Sequence, residues 1–311
     1  MLYEYALQRV KGISESFDNA LAKKIDSYKD NRIVDLYTTT QVFEFFTSTE
    51  GMDGAKELSS DETPPLLDIN DGFSVMIEEN RFGGAIELKE AEYRREQNDV
   101  TTNVDTVLKK KRNKLLIANK ALFLRGMFQF LNEAFSGTAK YKAPDGVELC
   151  GVHSWKTAGA PSWTNKGTAK FSEAAVDALL EYGGAFVDSA NNPMVIDFDT
   201  FIFKKGSAAA KAARMQFAQN ITPIKVADIN IYEGEFTIIE TPYITNKLNW
   251  FARDSKDENG NPLKIGVGEY PTLRDPIRQN NEAIRVNCTG FWKQGIVNMP
   301  YSWYGSDGTT G

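Results

Sequence analysis

Residues 71–137 read DGFSVMIEENRFGGAIELKEAEYRREQNDVTTNVDTVLKKKRNKLLIANKALFLRGMFQFLNEAFSG. A charged, extended two-strand pattern runs directly into a long helix that is apolar along only its second half. Thr102 is placed to cap that helix, with Asp105 three residues on as the short-chain counterpart of a capping-box acid. No proline follows until well past Gly137, which stands where a left-handed residue would end the helix. The pattern predicts roughly thirty-five helical residues and a rod of roughly 50 Å. Ile117, Ala121, Leu124, Phe128, Leu131 and Phe135 recur at steps of four and three, and Leu116, Phe123, Met127 and Phe130 widen the stripe into a core face.

The first half of the same helix differs. Lys109, Lys110, Lys111, Arg112 and Lys114 follow Val107 and Leu108, and packing them inside one domain would bury unpaired charge. This half is expected to project. It reads as a solvated face, with acidic residues of another subunit or nucleic acid as the functional alternatives.

Upstream, Phe73–Ile77 and Gly84–Leu88 read as short strands joined through Glu78–Gly83, where Asn80, Gly83 and Gly84 supply turn chemistry. Ile33–Phe46 is β-rich and aromatic, and Ser48–Asp71 is a polar excursion carrying Pro64 and Pro65. An outreaching hairpin exposes strand edges that another chain must cover. Ala6, Val10, Ile13, Phe17, Leu21, Ile25 and Tyr28 fall on one side of a predicted helix over residues 3–28 that precedes any evident core. Downstream, Ser172 caps a helix to about Tyr182 ended by Gly183 and Gly184, Met194–Phe203 is β-rich, and Ser207–Gln219 is an alanine-rich helix. Strands follow at Ile229–Tyr232, Glu235–Glu240, Leu248–Arg253, Ile284–Phe291 and Gly295–Met299, with Ser306–Gly311 a loose tail. Glu233-Gly234 and Glu258–Pro262 are the expected turns. The fold class is α+β, and no repeat is visible.

A chain of 311 residues has ample length for a core. Its net charge of −6 argues against wrapping nucleic acid, although enclosing it without gripping remains compatible. No run of eighteen apolar residues predicts a membrane span, and Met1–Lys24 has no apolar signal core. Cys150 and Cys288 match no metal or redox spacing and read as buried thiols rather than a disulfide. His153 is the single histidine, with a structural hydrogen-bonding role set against a catalytic one. Asp197 and Asp199 share a strand face and read as strand-end caps, or as a cation site or carboxylate pair. Phosphate-loop, dinucleotide and metalloprotease motifs are absent, so no cofactor is expected and the chain is not expected to be an enzyme.

The order of elements closely resembles the tailed-phage major capsid proteins with the Hong Kong bacteriophage capsid fold, especially the Mu-like major head subunit group. The likeness runs through Arg81-Phe82-Gly83-Gly84-Ala85-Ile86-Glu87-Leu88 into the long helix, then Asp145–Leu149 with His153-Ser154, Phe171–Ala175, Asn192–Ile196 with Phe201–Phe203, and Ile231–Glu235 with Trp250–Ala252. It covers nearly the whole chain and rests on order rather than on one motif. It implies an N-terminal arm over residues 1–45, an extended E-loop over 46–99, a P-domain over 100–160 and 282–311 built on the long spine helix, and an axial A-domain over 161–281. No scaffold-like segment precedes the arm, which implies a separate scaffold or a chain already in working form.

The implied role is self-assembly, as hexamers and pentamers, into an icosahedral shell enclosing double-stranded DNA without sequence-specific binding. Scaffold, portal and decoration proteins are the implied partners, the virion capsid the implied location, and the host cytoplasm the place of assembly. A subunit with projecting parts makes heterologous contacts, which close into rings or extend as sheets. Arg81, Glu87, Lys89, Glu90, Arg94, Arg95, Lys109, Lys110, Lys111 and Arg112 are the candidate inter-subunit contacts, with a solvated hairpin as the plain alternative. The rivals are a hydrolase acting on a polymer, through Asp197 and Asp199 or His153, and another assembling phage part of the tail or baseplate.

Overall fold

The computed structural model describes residues 33–52, 63, 69–89, 104–217, 235–257, 259–274, 277–279 and 283–310. The predicted helix over 3–28, the Thr102 cap, the strand at 229–232 and the turn at 233–234 lie outside them. In chain order the described elements are β1 (Asp35–Thr38), β2 (Phe43–Met52), β3 (Ile69–Glu78), β4 (Asn80–Leu88), α1 (Val104–Asn132), β5 (Val152–His153), β6 (Trp163–Thr164), β7 (Lys166–Ala169), α2 (Glu173–Gly184), β8 (Thr200–Lys204), α3 (Ala208–Gln216), β9 (Thr237–Thr241), β10 (Trp250–Arg253), β11 (Leu263–Leu273), β12 (Ile277–Arg278), β13 (Ile284–Ile296) and β14 (Trp303–Thr310).

Two sheets carry the molecule. In the first, β13 pairs antiparallel with β11 along one edge and with β4 along the other, β1 adds in parallel to β11, and β12 pairs the start of β13. In the second, the order is β7-β14-β10-β8-β9. Alternation along this second sheet serves two cores at once. Phe201, Phe203, Trp250 and Ala252 pack with α2 and α3 residues Val176, Leu179, Ala210 and Ala213. Ile202 and Phe251, one residue out of phase, join α1 and the first sheet through Phe123, Met127, Phe128 and Leu131.

Helix α1 confirms the apolar stripe from Phe123 onward but shifts it at its start. Leu115 and Asn119 are buried and Ile117 is exposed, because the inward seam is the one that meets β4, where Leu115 lies over Gly84. The helix also stops before Gly137, which is not left-handed. Its last turn is closed locally, Glu133 N–H donating to the Gln129 carbonyl at 3.0 Å, and the turn that follows is tied to the body by Cys150 N–H donating to the Ala134 carbonyl at 2.9 Å. The other two helices start at the expected hydroxyls, Ser172 accepting from Ala175 N–H and Ser207 from Ala210 N–H. Gly183 stays inside α2, where a Cβ would sit 2.4 Å from the Ile196 carbonyl oxygen.

Three sequence expectations are corrected. Glu78–Gly83 is not a hairpin turn, since only Glu79 separates β3 from β4 and one residue cannot reverse the chain; β3 pairs with β2, and β4 with β13. The two last strands are the single strand β13 followed by β14, and Ser306–Thr310 is no tail but part of β14, held between β10 and β7 with Ser306 fully buried. β11 belongs to the first sheet and β14 to the second.

Candidate assembly surface

The β2–β3 ribbon inverts the usual strand pattern. Glu44, Phe46, Ser48 and Glu50 turn toward the body, whereas Phe43, Phe45, Thr47 and Thr49 turn to solvent. Phe45 is 74% exposed and faces Met76, its cross-strand partner, at 53%; Phe43 is 49% exposed and Val42 adjoins it. Such an apolar strip on an otherwise polar outward face marks an interaction site.

The inward acids explain why the ribbon does not slip by one residue and bury its phenylalanines. At its base, Glu44 accepts from the fully buried Lys293 Nζ at 2.9 Å, from Tyr37 Oη and from Thr39 Oγ1, while Lys293 also donates to the Gln41 carbonyl at 2.5 Å. Burial raises the Glu44 carboxyl, but its hydrogen bonds from Thr39, Tyr37 and Lys293 outweigh that and hold it below the usual carboxylate range. At the far end, Glu50 accepts from Lys156 N–H at 2.5 Å, Thr157 N–H at 2.9 Å and Thr157 Oγ1 at 2.6 Å, and Gly51 N–H donates to Ser189 Oγ at 2.8 Å. The expected outreaching limb is thus, over its described residues, clasped to its own body at both ends, with its apolar face turned outward.

A groove of about 710 Å³ runs along α1, walled by Phe82, Leu122, Arg125, Tyr141, Tyr243 and Trp292. Phe82 stacks on Trp292 at 3.8 Å.

The candidate contact residues divide sharply. Arg81 and Glu87 lie on the outer face of β4, Arg81 with its guanidinium 6.0 Å from the Phe291 ring centre and Glu87 opposite Arg285. Lys89 follows on the exposed surface, and Lys110 is exposed on α1. Lys111 does not project but donates to the Glu87 carbonyl at 3.0 Å, so this part of the basic half lies along β4. Glu90, Arg94 and Arg95, and the side chains of Lys109 and Arg112, lie outside the described residues. Sequence reasoning missed Phe45, Met76, Glu50 and Arg285; the alternation F-E-F at residues 43–45 was the available signal, but it does not say which phase faces inward.

The residues considered for catalysis have structural partners. His153 is fully buried, its Nδ1 2.8 Å from Asp145 Oδ2, and its ring stacks on Trp163 at 4.6 Å. Asp199 caps the start of β8, accepting from Ser255 N–H, Ser255 Oγ and Thr200 Oγ1, whereas Asp197 is exposed near Lys256. Among the described residues no cluster of three acids, histidines or cysteines has metal-binding geometry, and both cysteines are buried thiols.

Burial raises the Asp145 carboxyl, but the hydrogen bond and charge of His153, with Val147 and Ser154 N–H, outweigh it and hold it below the usual range. A depressed carboxyl stabilises the fold above its unfolded value near pH 4, and that contribution is lost as pH falls through the native value. Asp145→Asn is expected to cost about 1.5–3 kcal/mol at neutral pH and to flatten the acid side of the stability curve. Denaturant titrations from pH 7 to pH 3 check both, and an unchanged acid limb would count against the pairing.

No protein-family model matches the chain, and no curated protein does. Solved structures do. A chain from Mycobacterium phage Patience aligns with a TM-score of 0.55 and 14% identity over 95% of this chain and 87% of that one. The capsid structure of cyanophage P-SCSP1u gives 0.52 and 8% over 88% and 86%, and the capsid of Myoviridae phage XM1 gives 0.50 and 8% over 87% and 88%. At such identities the likeness shows a shared mixed α+β fold.

Proposed function

We propose, from a fold shared with phage capsid structures, that this chain is a major capsid protein whose copies assemble into the shell enclosing a phage genome. The observation that carries the reading is the ribbon of inverted phase: its acids are satisfied inside the subunit, and its aromatic strip is left for another copy. The groove along α1 offers apolar walls for such a contact, and many modest contacts repeated over a shell become collectively strong.

Within this reading α1 is the spine helix, residues 1–45 the N-terminal arm, 46–99 the E-loop, 100–160 and 282–311 the P-domain, and 161–281 the A-domain. Membership of the Mu-like head group, scaffold, portal and decoration partners, enclosed double-stranded DNA, assembly in the host cytoplasm and the ten charged inter-subunit contacts belong to the same proposal. The chain's role is structural rather than catalytic.

Electron microscopy and sedimentation of the purified protein test this directly. Closed spherical particles are expected. Tubes or rings would favour a tail or baseplate subunit, and a compact 35 kDa species at all concentrations would overturn assembly altogether, since the chain mass is 34.8 kDa.

A further inference from the structure

The solvent side of α1 carries a second stripe, out of phase with its core seam. Lys110, Lys114, Ile117, Ala121 and Arg125 recur at steps of four and three, so they share one face, and all but Ala121 are exposed. Ile117 is 66% exposed and Leu122, beside it, 38%. The stripe runs on into the groove along the second half of the helix, which Arg125, Glu133 and Lys140 help to line. From Lys110 to Glu133 it extends roughly 35 Å, about six turns.

Charge on this face is one-sided. Among the described residues no carboxylate lies within ion-pair distance of Lys110, Lys114, Arg125 or Lys140. Glu133, the one acid among the described residues lining the groove, is already taken: its Oε1 accepts from Gln129 Nε2 at 2.8 Å and its Oε2 from Lys140 N–H at 2.7 Å. Between the cations lie Ile117, Ala118, Ala121 and Leu122, apolar enough to favour cover and, at the two alanines, small enough for another helix to come close. We infer that this face of α1 receives an amphipathic helix of a separate, acidic protein, its apolar stripe on Ile117 and Leu122 and its carboxylates on the flanking cations. The inference goes beyond the shell reading and does not rest on it.

Charge argues against the nearer candidates. The α1 of a second copy would set cation against cation in either direction. Residues 3–28 of the chain balance Glu4, Glu15, Asp18 and Asp26 against Arg9, Lys11, Lys23 and Lys24, so they answer none of the excess. The aromatic strip of a neighbour's ribbon is uncharged; it matches the groove walls but leaves the cations unanswered. A nucleic-acid backbone answers the cations but gains nothing from covering Ile117.

The test uses a fluorescein-labelled helical peptide of roughly three heptads, with leucine along one face and glutamate flanking it. The full-length chain is kept below the concentration at which it self-associates, and binding is read by anisotropy. Saturable binding is expected, roughly fivefold weaker for Lys114→Gln/Arg125→Gln and roughly tenfold weaker for Ile117→Ser. A peptide with lysine in place of glutamate, and one with serine in place of leucine, should both bind far more weakly. The three altered residues are exposed, so thermal unfolding should show both variants folded. Binding unchanged in either variant, or equal binding by either control peptide, would overturn the inference. So would a peptide of residues 3–28 that binds this face more tightly, which would make the chain's own arm the occupant, or a dimer lost in Ile117→Ser, which would make it a second copy. A short DNA duplex that displaces the peptide and depends on the cations but not on Ile117 would overturn it too, as a phosphate-binding face.

Discussion

Phe45→Asp is expected to give a folded chain that forms no particles. The side chain is 74% exposed in the single subunit, so the substitution should change subunit stability by no more than about 0.5 kcal/mol. In an assembled contact the same ring would contribute about 1.5–3 kcal/mol of apolar burial, and a buried unpaired carboxylate would cost more than that gain. The loss repeats at every copy. Met76→Ser, acting on the cross-strand neighbour, should weaken assembly in the same direction but by less, raising the concentration at which particles appear. Particle counts by electron microscopy, with thermal unfolding of the subunit as control, decide the matter. Normal particles from Phe45→Asp would remove the ribbon face as the contact.

Lys293→Ala should be far more damaging to the subunit itself. Its ammonium is fully buried, with Glu44 and the Gln41 carbonyl as partners. Removing it strands Glu44 in a mostly enclosed site beside Tyr37 and Thr39, at a cost of about 3–5 kcal/mol. Because this pair pins the base of the ribbon, the loss should also loosen β2 and β3, seen as faster amide exchange in residues 43–49. Pairing Lys293→Met with Glu44→Leu should recover much of the stability, since no buried charge is then left alone. A single variant as stable as the parent would show that the pair contributes nothing.

How far these features can be read from the chain depends on the range of the forces behind them. The second half of α1 is legible because Phe123, Leu124, Met127, Phe128 and Leu131 repeat at helical spacing, and the periodicity is itself the packing instruction. The first half is not, because Leu115 and Ile117 are equally apolar and only the presence of β4 chooses between them. β3 and β4 are legible as strands but not as partners: β2 lies earlier in the chain and β13 some two hundred residues later, roughly the distance over which local propensity is silent. Ser306–Thr310 has no apolar alternation at all, and its strand state comes from pairing with β7, from Ser306 pairing with β10, and from the Ser306 and Thr310 hydroxyls bonding to the β7 segment.

The candidate surface divides in the same way. Arg81 and Glu87 announce themselves as charges in a β-pattern, but that Arg81 shares a pocket with Arg285 follows from the antiparallel register of β4 on β13. The phase of β2 is the sharpest case. The F-E-F alternation leaves the phase open, and the structure turns Phe43 and Phe45 out, because Glu44 finds Lys293 and Glu50 finds Lys156 and Thr157 on the body, far away in sequence.

Local order, then, is written in the residues: where helices begin at Ser172 and Ser207, which half of α1 is core, and which segments are extended. Which strand meets which, and which face of the ribbon meets water, belong to tertiary structure. Hydrophobic spacing and capping act over a few residues, whereas strand pairing and the burial of a charge are settled by whatever the rest of the chain brings alongside.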